Sequence, residues 1–263
     1  TAIFDVQNEQ GSIVQLKADS PDRFDSQEDA EAFLQKCVGA DFNISDIKVK
    51  PLKRKPAPPF TTSTLQQEAS RKLGFSVKRT MVAAQRLYEA GHITYMRTDS
   101  ISLSEMAIQT IAQEIEQSFG VDYLKTRRFK TKKADAQEAH EAIRPTYIVK
   151  KNVSGNRDEQ RLYELIWKRT IASQMAEAKL EKTTVSIGVS TVPDARLQAV
   201  GEVLKFDGFL KVYLESKDDD DEEEAKGMLP PLTVGQELDL NEMTALERYT
   251  RAPARYTEAG LVS

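Results

Sequence analysis

TTSTLQQEASRKLGFSVKRTMVAAQRLYEAGHITYMRTDS, residues 61–100, decides what kind of fold this chain adopts. The apolar spacing predicts one helix over about 63–73, closing near Gly74, and a second over 77–90. The second closes at Gly91, whose lack of a side chain suits a left-handed cap. A short turn joins them, which gives a helix-turn-helix outline. At HITYMRTDS, residues 92–100, the period changes to two. Read as a strand, Tyr95, Arg97 and Asp99 share one face and Thr94, Met96 and Thr98 the other. Two helices followed by a strand is a winged-helix order. A phenol beside a guanidinium suits work on a phosphodiester: the phenolate attacks phosphorus and the planar cation holds the non-bridging oxygens. An alternating aromatic strand equally supplies one core tyrosine and one solvated arginine. Arg97 also has Asp99 as an intramolecular partner, and Asp99 or Ser100 can cap the helix that follows.

Downstream, Ser102 or Ser104 caps a helix with apolar positions Met106, Ile108, Ile111 and Ile115, closed by Gly120. Another helix, about 158–178, turns Leu162, Leu165, Ile166 and Met175 to a core with Trp167 beside it. Upstream, the alternating runs SIVQLKA (12–18) and DIKVK (46–50) read as strands, and Ser26 with Asp29 starts a helix near 27–37. PLKRKPAPPF, 51–60, reads as an extended connector and a domain boundary. After Lys179 the runs TTVSIGVS (183–190), RLQAVGEVLKF (196–206) and GFLKVYLES (208–216) predict a β meander, and alternation returns at Glu237–Leu240. The fold class is α+β and multidomain: a mainly helical, winged-helix-like domain carrying the tyrosine, inserted into an all-β domain.

The chain has 263 residues and one cysteine, Cys37, which excludes a disulfide framework. No apolar run is long enough to span a bilayer, so nothing points to a membrane. The net charge of −4 is unevenly spread: between Phe60 and Lys179, 20 Lys and Arg face 14 Asp and Glu, so this segment is +6 and the remainder −10. Seven of the remaining acids form DDDDEEE at 218–224, read as a solvated loop, with a DNA-mimicking autoinhibitory role as the alternative. The basic run KTRRFKTKK, 125–133, reads as a mobile loop adding phosphate affinity.

In DAQEAHEAIRP, Asp135 can cap a short helix that Pro145 stops. On that helix Gln137, His140 and Arg144 lie along one side, so an imidazole and a guanidinium face one phosphate. A lone histidine is as readily a structural donor. Glu141 hints at a zinc-protease helix, but position 144 is Arg rather than His, so no metal motif is formed. Thr61–Thr64 suit helix capping. No GxxxxGK loop for nucleotide phosphates is present.

Four blocks, PFTTSTLQQEASRKLGF (59–75), AQRLYEAGHITYMRTDS (84–100), QEAHEAIRPT (137–146) and RAPARYTEAGLV (251–262), closely resemble those of type IA DNA topoisomerases. Their wording is similar to bacterial topoisomerase I more than to topoisomerase III. The resemblance implies that Tyr95 is the nucleophile, that Arg97 steadies the scissile phosphate, and that His140 assists there. Arg251 and Arg255 match a family block that contacts single-stranded DNA, though they equally suit surface charges, and Asp99 and Arg144 are read as further DNA contacts. It implies β-arch segments at 1–59 and 180–248, the tyrosine domain at 60–179, and from 249 to 263 the start of a DNA-gripping helical domain. In such enzymes the arch surrounds duplex DNA, a single strand occupies the cleavage site, and negative supercoils are relaxed without ATP. The family's acidic metal-binding domain and general-acid glutamate precede everything seen here, so the chain reads as an internal fragment. Mg²⁺ is then a cofactor of the full-length enzyme, with its ligands outside this chain and none within it. A bacterial, cytoplasmic, nucleoid-associated enzyme is the expectation, with the missing domains of the same chain as partners. Two other readings stand beside it: a non-enzymatic helix-turn-helix DNA-binding module, and a tyrosine recombinase or type IB-like enzyme. The latter place their catalytic Arg and His before the tyrosine, whereas His140 and Arg144 follow Tyr95.

Overall fold

A computed structural model describes residues 1–7, 11–129, 141–214, 229–249, 252, 255 and 257–262. It divides into two compact units, one of Thr1–Leu52, Lys179–Lys205 and Glu222–Ala252, the other of Lys53–Ala178, Phe206–Asp221 and Pro253–Ser263. The acidic run 218–224 lies outside the described residues.

The first unit is built on a six-stranded sheet. Its strands are β1 (Ala2–Gln7), β2 (Ile13–Ala18), β3 (Phe42–Arg54), β4 (Ala178–Val189), β5 (Arg196–Phe206) and β6 (Glu237–Met243), in the order β2-β1-β6-β3-β4-β5. β1 and β2 pair antiparallel from Ala2↔Ala18 to Gln7↔Ile13, and β6 pairs antiparallel with both β1 and β3. Alternation does the sorting: Ala2, Phe4 and Val6 of β1 point inward against Leu16, Phe42, Ile44, Val185, Ile187 and Leu197. Asp19, one residue past β2, forms a two-way bridge with Gln198 of β5 (2.9 and 2.8 Å), so the two outermost strands meet. The unit is not all-β: α1 (Gln27–Cys37) starts where Ser26 accepts from the Asp29 N–H and buries Cys37 in the same core.

The second unit holds α2 (Thr62–Leu73), α3 (Val77–Glu89), α4 (Glu105–Phe119) and α5 (Arg157–Ser173). Each start carries a side-chain cap. Thr61 and Thr64 form a capping box, as do Asn156 and Glu159, while Ser76 and Ser104 cap α3 and α4. α2 closes on Gly74 at φ 68°, a left-handed position that side chains disfavour. Leu65, Ala69, Ala84, Leu87, Ile111, Ile115, Leu162 and Ile166 are all buried. α3 is tied to the start of α5 by Arg79, which donates twice to Asp158 (2.7 Å each), and by Arg86 with Glu159 at 3.4 Å. Among the described residues, no helix is long and apolar enough to cross a membrane.

Several local expectations are corrected. Met106 is exposed because it sits in the first turn of α4, while Ile108, Ile111 and Ile115 are buried as expected. α5 ends at Ser173 rather than 178, and Trp167 is itself buried, donating to the Ile148 carbonyl at 2.8 Å. The connector is shorter than read, since β3 runs through Arg54. The third strand of the meander does not form over its described part, 208–214: Gly208–Lys211 is a 3-10 turn. Phe209 and Tyr213 are both buried, and their spacing of four satisfies helix and strand periods alike. The Tyr213 hydroxyl donates to buried Glu68 at 2.6 Å; burial and that carboxylate push its pKa up.

Candidate functional site

The tyrosine segment begins where α3 stops. The Gly91 N–H reaches the Tyr88 carbonyl (2.8 Å) and the His92 N–H the Leu87 carbonyl (2.9 Å), and Gly91 takes φ 71°. From there the chain bends at Thr94, Met96 and Arg97 and is not the predicted strand. Only one isolated bridge forms, Ile93 to Pro145. Threonine hydroxyls take the place of a ladder. On one flank the Thr94 N–H donates to the Arg144 carbonyl (2.9 Å), the Arg144 N–H donates to Thr94 Oγ1 (2.9 Å), and Thr94 Oγ1 donates to the Ala142 carbonyl (2.7 Å). On the other, Thr62 at the start of α2 holds Met96 and Thr98: Oγ1 donates to the Met96 carbonyl at 2.8 Å and accepts from the Thr98 N–H at 2.9 Å.

The two-faced arrangement survives without the ladder. Met96, Thr98 and Ser100 are buried, and Tyr95, Arg97 and Asp99 are exposed. Tyr95 is 40% exposed and meets Tyr88, also 40% exposed, edge-on with ring centroids 5.3 Å apart and planes at 67°. No ion pair joins Arg97 to Asp99, and Arg97 makes no hydrogen bond or ion pair among the described residues. The helix after the segment is capped by Ser104, not by Asp99 or Ser100; Ser100 Oγ instead accepts from the Ser102 N–H.

The 137–145 helix is corrected where it can be seen. Glu141–Pro145 is extended, with Ile143 bridged to Phe60 and Pro145 to Ile93, so Arg144 sits on no helix face. His140 and Gln137 lie outside the described residues. Arg144 donates to Glu141 (2.6 Å) and to the Pro145 carbonyl (3.0 Å), and its buried Nε has no hydrogen-bond partner among the described residues. Glu141 also accepts from the Ser104 N–H at 2.6 Å, joining this segment to the start of α4. Burial alone raises the Glu141 carboxyl, but hydrogen bonds from Arg144 and Ser104 outweigh it and hold the group below its ordinary value.

Arg255 lies among the described residues and is exposed, whereas Arg251 lies outside them. The basic run is tied down over its described part, 125–129. Lys125 pairs with Glu177 (3.3 Å), Arg128 donates twice to Glu105 (2.8 and 2.9 Å), and Arg127 turns inward to the Ser173 carbonyl (3.1 Å). Burial lowers the Arg127 pKa. Residues 130–133 fall outside the description. Among the described residues, no three His, Cys, Asp or Glu side chains converge as metal ligands would.

Sequence reasoning missed Thr62 and Thr94 as clamps, and Tyr88 as the neighbour of Tyr95. The hydroxyls of TTST were assigned to capping, a role that Thr61 and Thr64 do fill. Only the three-dimensional pairing shows that Thr62 faces another segment.

A family model described as DNA topoisomerase matches residues 2–263. DNA topoisomerase 1 of Synechococcus elongatus is 47% identical over 243 residues, covering 90% of this chain and 27% of that protein. DNA topoisomerase 1 of Mycobacterium tuberculosis is 48% identical over 238 residues, 85% of this chain and 26% of its own length. The full-length topoisomerase I structure from Thermotoga maritima superposes with a TM-score of 0.76 at 31% identity, covering 99% of this chain and 42% of that one. The chain thus spans about a quarter of the length of its curated relatives. With the match running along its whole length, the chain belongs to the DNA topoisomerase family.

Proposed function

We propose that this chain is the tyrosine-bearing part of a type IA DNA topoisomerase, and that Tyr95 cuts one strand of DNA by transesterification. The observation that carries this reading is the joint exposure of Tyr95 and Arg97 on a segment clamped on both flanks. Tyr95 Oη attacks phosphorus as its proton leaves; the bond from phosphorus to the 3′ oxygen breaks, and that oxygen takes up a proton. The strand's 5′ phosphate is then held as phosphotyrosine. One phosphodiester replaces another, so the step runs backward to reseal the strand and needs no ATP. Arg97, with no partner among the described residues, supplies paired donors for the non-bridging oxygens. His140 assists at the same phosphate. Asp99 shares the exposed face and contacts the strand near the cut, and Arg251 and Arg255 contact single-stranded DNA. Arg144 reaches phosphate only by exchanging its pairing with Glu141.

Mg²⁺ belongs to the full-length enzyme, with its ligands outside this chain; when bound it supplies charge neutralisation near the phosphate. Segments 1–59 and 180–248 contribute to an arch for duplex DNA, 60–179 forms the tyrosine domain, and 249–263 begins a strand-gripping domain. The parent enzyme works in the bacterial cytoplasm at the nucleoid.

The helix-turn-helix binding reading needs free cations on α3. Of its three cations, Arg79 and Arg86 are instead engaged by Asp158 and Glu159, leaving only Lys78 for such a role, which weakens that reading. Plasmid relaxation tests the proposal. The full-length enzyme is expected to relax negatively supercoiled plasmid, while its Tyr95→Phe variant and the isolated 263-residue chain are expected not to. Relaxation by Tyr95→Phe at the parental rate would overturn the assignment.

A further inference from the structure

Tyr88 occupies an unusual place for a large aromatic. It lies on the exposed side of the last turn of α3, while its neighbours Ala84 and Leu87 are buried. Its hydroxyl makes no hydrogen bond among the described residues, so hydrogen bonding does not explain a tyrosine there. What its ring does is meet the Tyr95 ring, centroids 5.3 Å apart and planes at 67°. That is the edge-to-face geometry in which the positive rim of one ring meets the negative face of the other.

The backbone makes this contact a fixed one. The Tyr88 carbonyl accepts from Gly91 (2.8 Å) and the Leu87 carbonyl from His92 (2.9 Å), so the end of α3 and the start of the tyrosine segment form one hydrogen-bonded turn. Thr94 is held by Ala142 and Arg144, and Met96 by Thr62, so the main chain is pinned on both sides of Tyr95. With the main chain held, the place of the 40% exposed Tyr95 ring is set by its two side-chain torsions. An aromatic wall at van der Waals range restricts both.

We propose that Tyr88 is a positioning residue: its ring holds the Tyr95 ring in the orientation from which the phenolic oxygen meets the scissile phosphate. The proposal rests on the reading of Tyr95 as nucleophile. The ring acts, not the hydroxyl, so Tyr88→Phe keeps the function and Tyr88→Ala loses it. An aromatic pair of this geometry corresponds to roughly three- to tenfold in the rate of a step that requires the held orientation.

The test measures single-turnover cleavage of a labelled single-stranded oligonucleotide by the full-length enzyme, together with its affinity for the same oligonucleotide. Tyr88→Ala and Tyr88→Leu are expected to cleave about three- to tenfold more slowly with affinity unchanged, and Tyr88→Phe within about twofold of the parent. A second measurement needs no activity: with 3-fluorotyrosine incorporated in place of Tyr95 in the 263-residue chain, the ¹⁹F resonance is expected to shift in Tyr88→Ala and stay in Tyr88→Phe. Parental cleavage by Tyr88→Ala, with Tyr95→Phe forming no adduct, would overturn the positioning role and leave the nucleophile intact. Equal slowing in Tyr88→Phe and Tyr88→Ala would also overturn it, since the hydroxyl would then be the acting group. An adduct formed by Tyr95→Phe would remove the nucleophile assignment and this proposal with it.

Discussion

Thr62 and Thr98 are hydrogen-bonded in both directions. The Thr62 N–H donates to the Thr98 carbonyl at 2.8 Å, and the Thr98 N–H donates to Thr62 Oγ1 at 2.9 Å. The first turn of α2 thereby serves as the neighbouring strand that the tyrosine segment lacks. The same hydroxyl donates to the Met96 carbonyl, so one side chain fixes the main chain on both sides of Arg97. Phe60, just before this turn, is held by Arg169, whose guanidinium lies 4.8 Å over its ring and donates to the Pro58 carbonyl at 2.7 Å.

Thr62→Val keeps the shape of the side chain and deletes the hydroxyl. It strands the Thr98 N–H and the Met96 carbonyl beside a buried face, so it is expected to destabilise the chain by about 1–3 kcal/mol. Urea unfolding measures this, with Thr62→Ser close to the parent. A wild-type midpoint for Thr62→Val would show that the clamp is not made.

Glu141 gives a pH dependence with a definite sign. Its folded pKa is lowered, so its pairing with Arg144 and Ser104 stabilises the chain above the unfolded value of about 4.3 and is lost as the pH falls through the folded value. Glu141→Gln is expected to cost about 1–3 kcal/mol at pH ~7 and to fall off less steeply in acid. Unfolding free energies from pH ~7 down to pH ~3 decide it; parallel curves for parent and variant would contradict the assignment.

Tyr163 acts at the other end of the scale. Burial pushes its phenol up to about 12, and its hydroxyl donates to the Lys150 carbonyl at 2.6 Å. A raised folded pKa means that this contribution is complete below about pH 10 and is lost as the pH rises through about 12. The phenolate absorbance is expected to show Tyr163 titrating late, along with Tyr213, whose pKa is also raised, and Tyr163→Phe removes one of those late steps. Loss of an ordinary tyrosine step instead would place Tyr163 in contact with solvent.

The helices were legible because their signals are local: capping hydroxyls at Thr61 and Ser104, and Gly74 and Gly91 past two of the ends. The exposed face of Tyr95, Arg97 and Asp99 was legible too, since the alternation of buried and exposed positions is kept although the segment bends and has no ladder. What holds that backbone was not legible. Thr62 and Thr94 bond to groups 34 and 48 residues away, and nothing in their own neighbourhood marks them. Arg144 failed as a helical residue because the Ala142 and Arg144 main chain is taken by Ser102 and Thr94, contacts that an isolated helix pattern does not contain. Phe209 and Tyr213 misled because a separation of four fits both periods.

The central claim is that Tyr95 forms a covalent bond to a 5′ phosphate, and end-labelled adducts test it most directly. The full-length enzyme with Mg²⁺ is mixed with single-stranded oligonucleotides labelled at the 5′ or the 3′ end, and protein adducts are resolved under denaturing conditions. Adducts that retain only the 3′ label, and that vanish in Tyr95→Phe, are the predicted result. Adducts that retain only the 5′ label, or that persist in Tyr95→Phe, would contradict it.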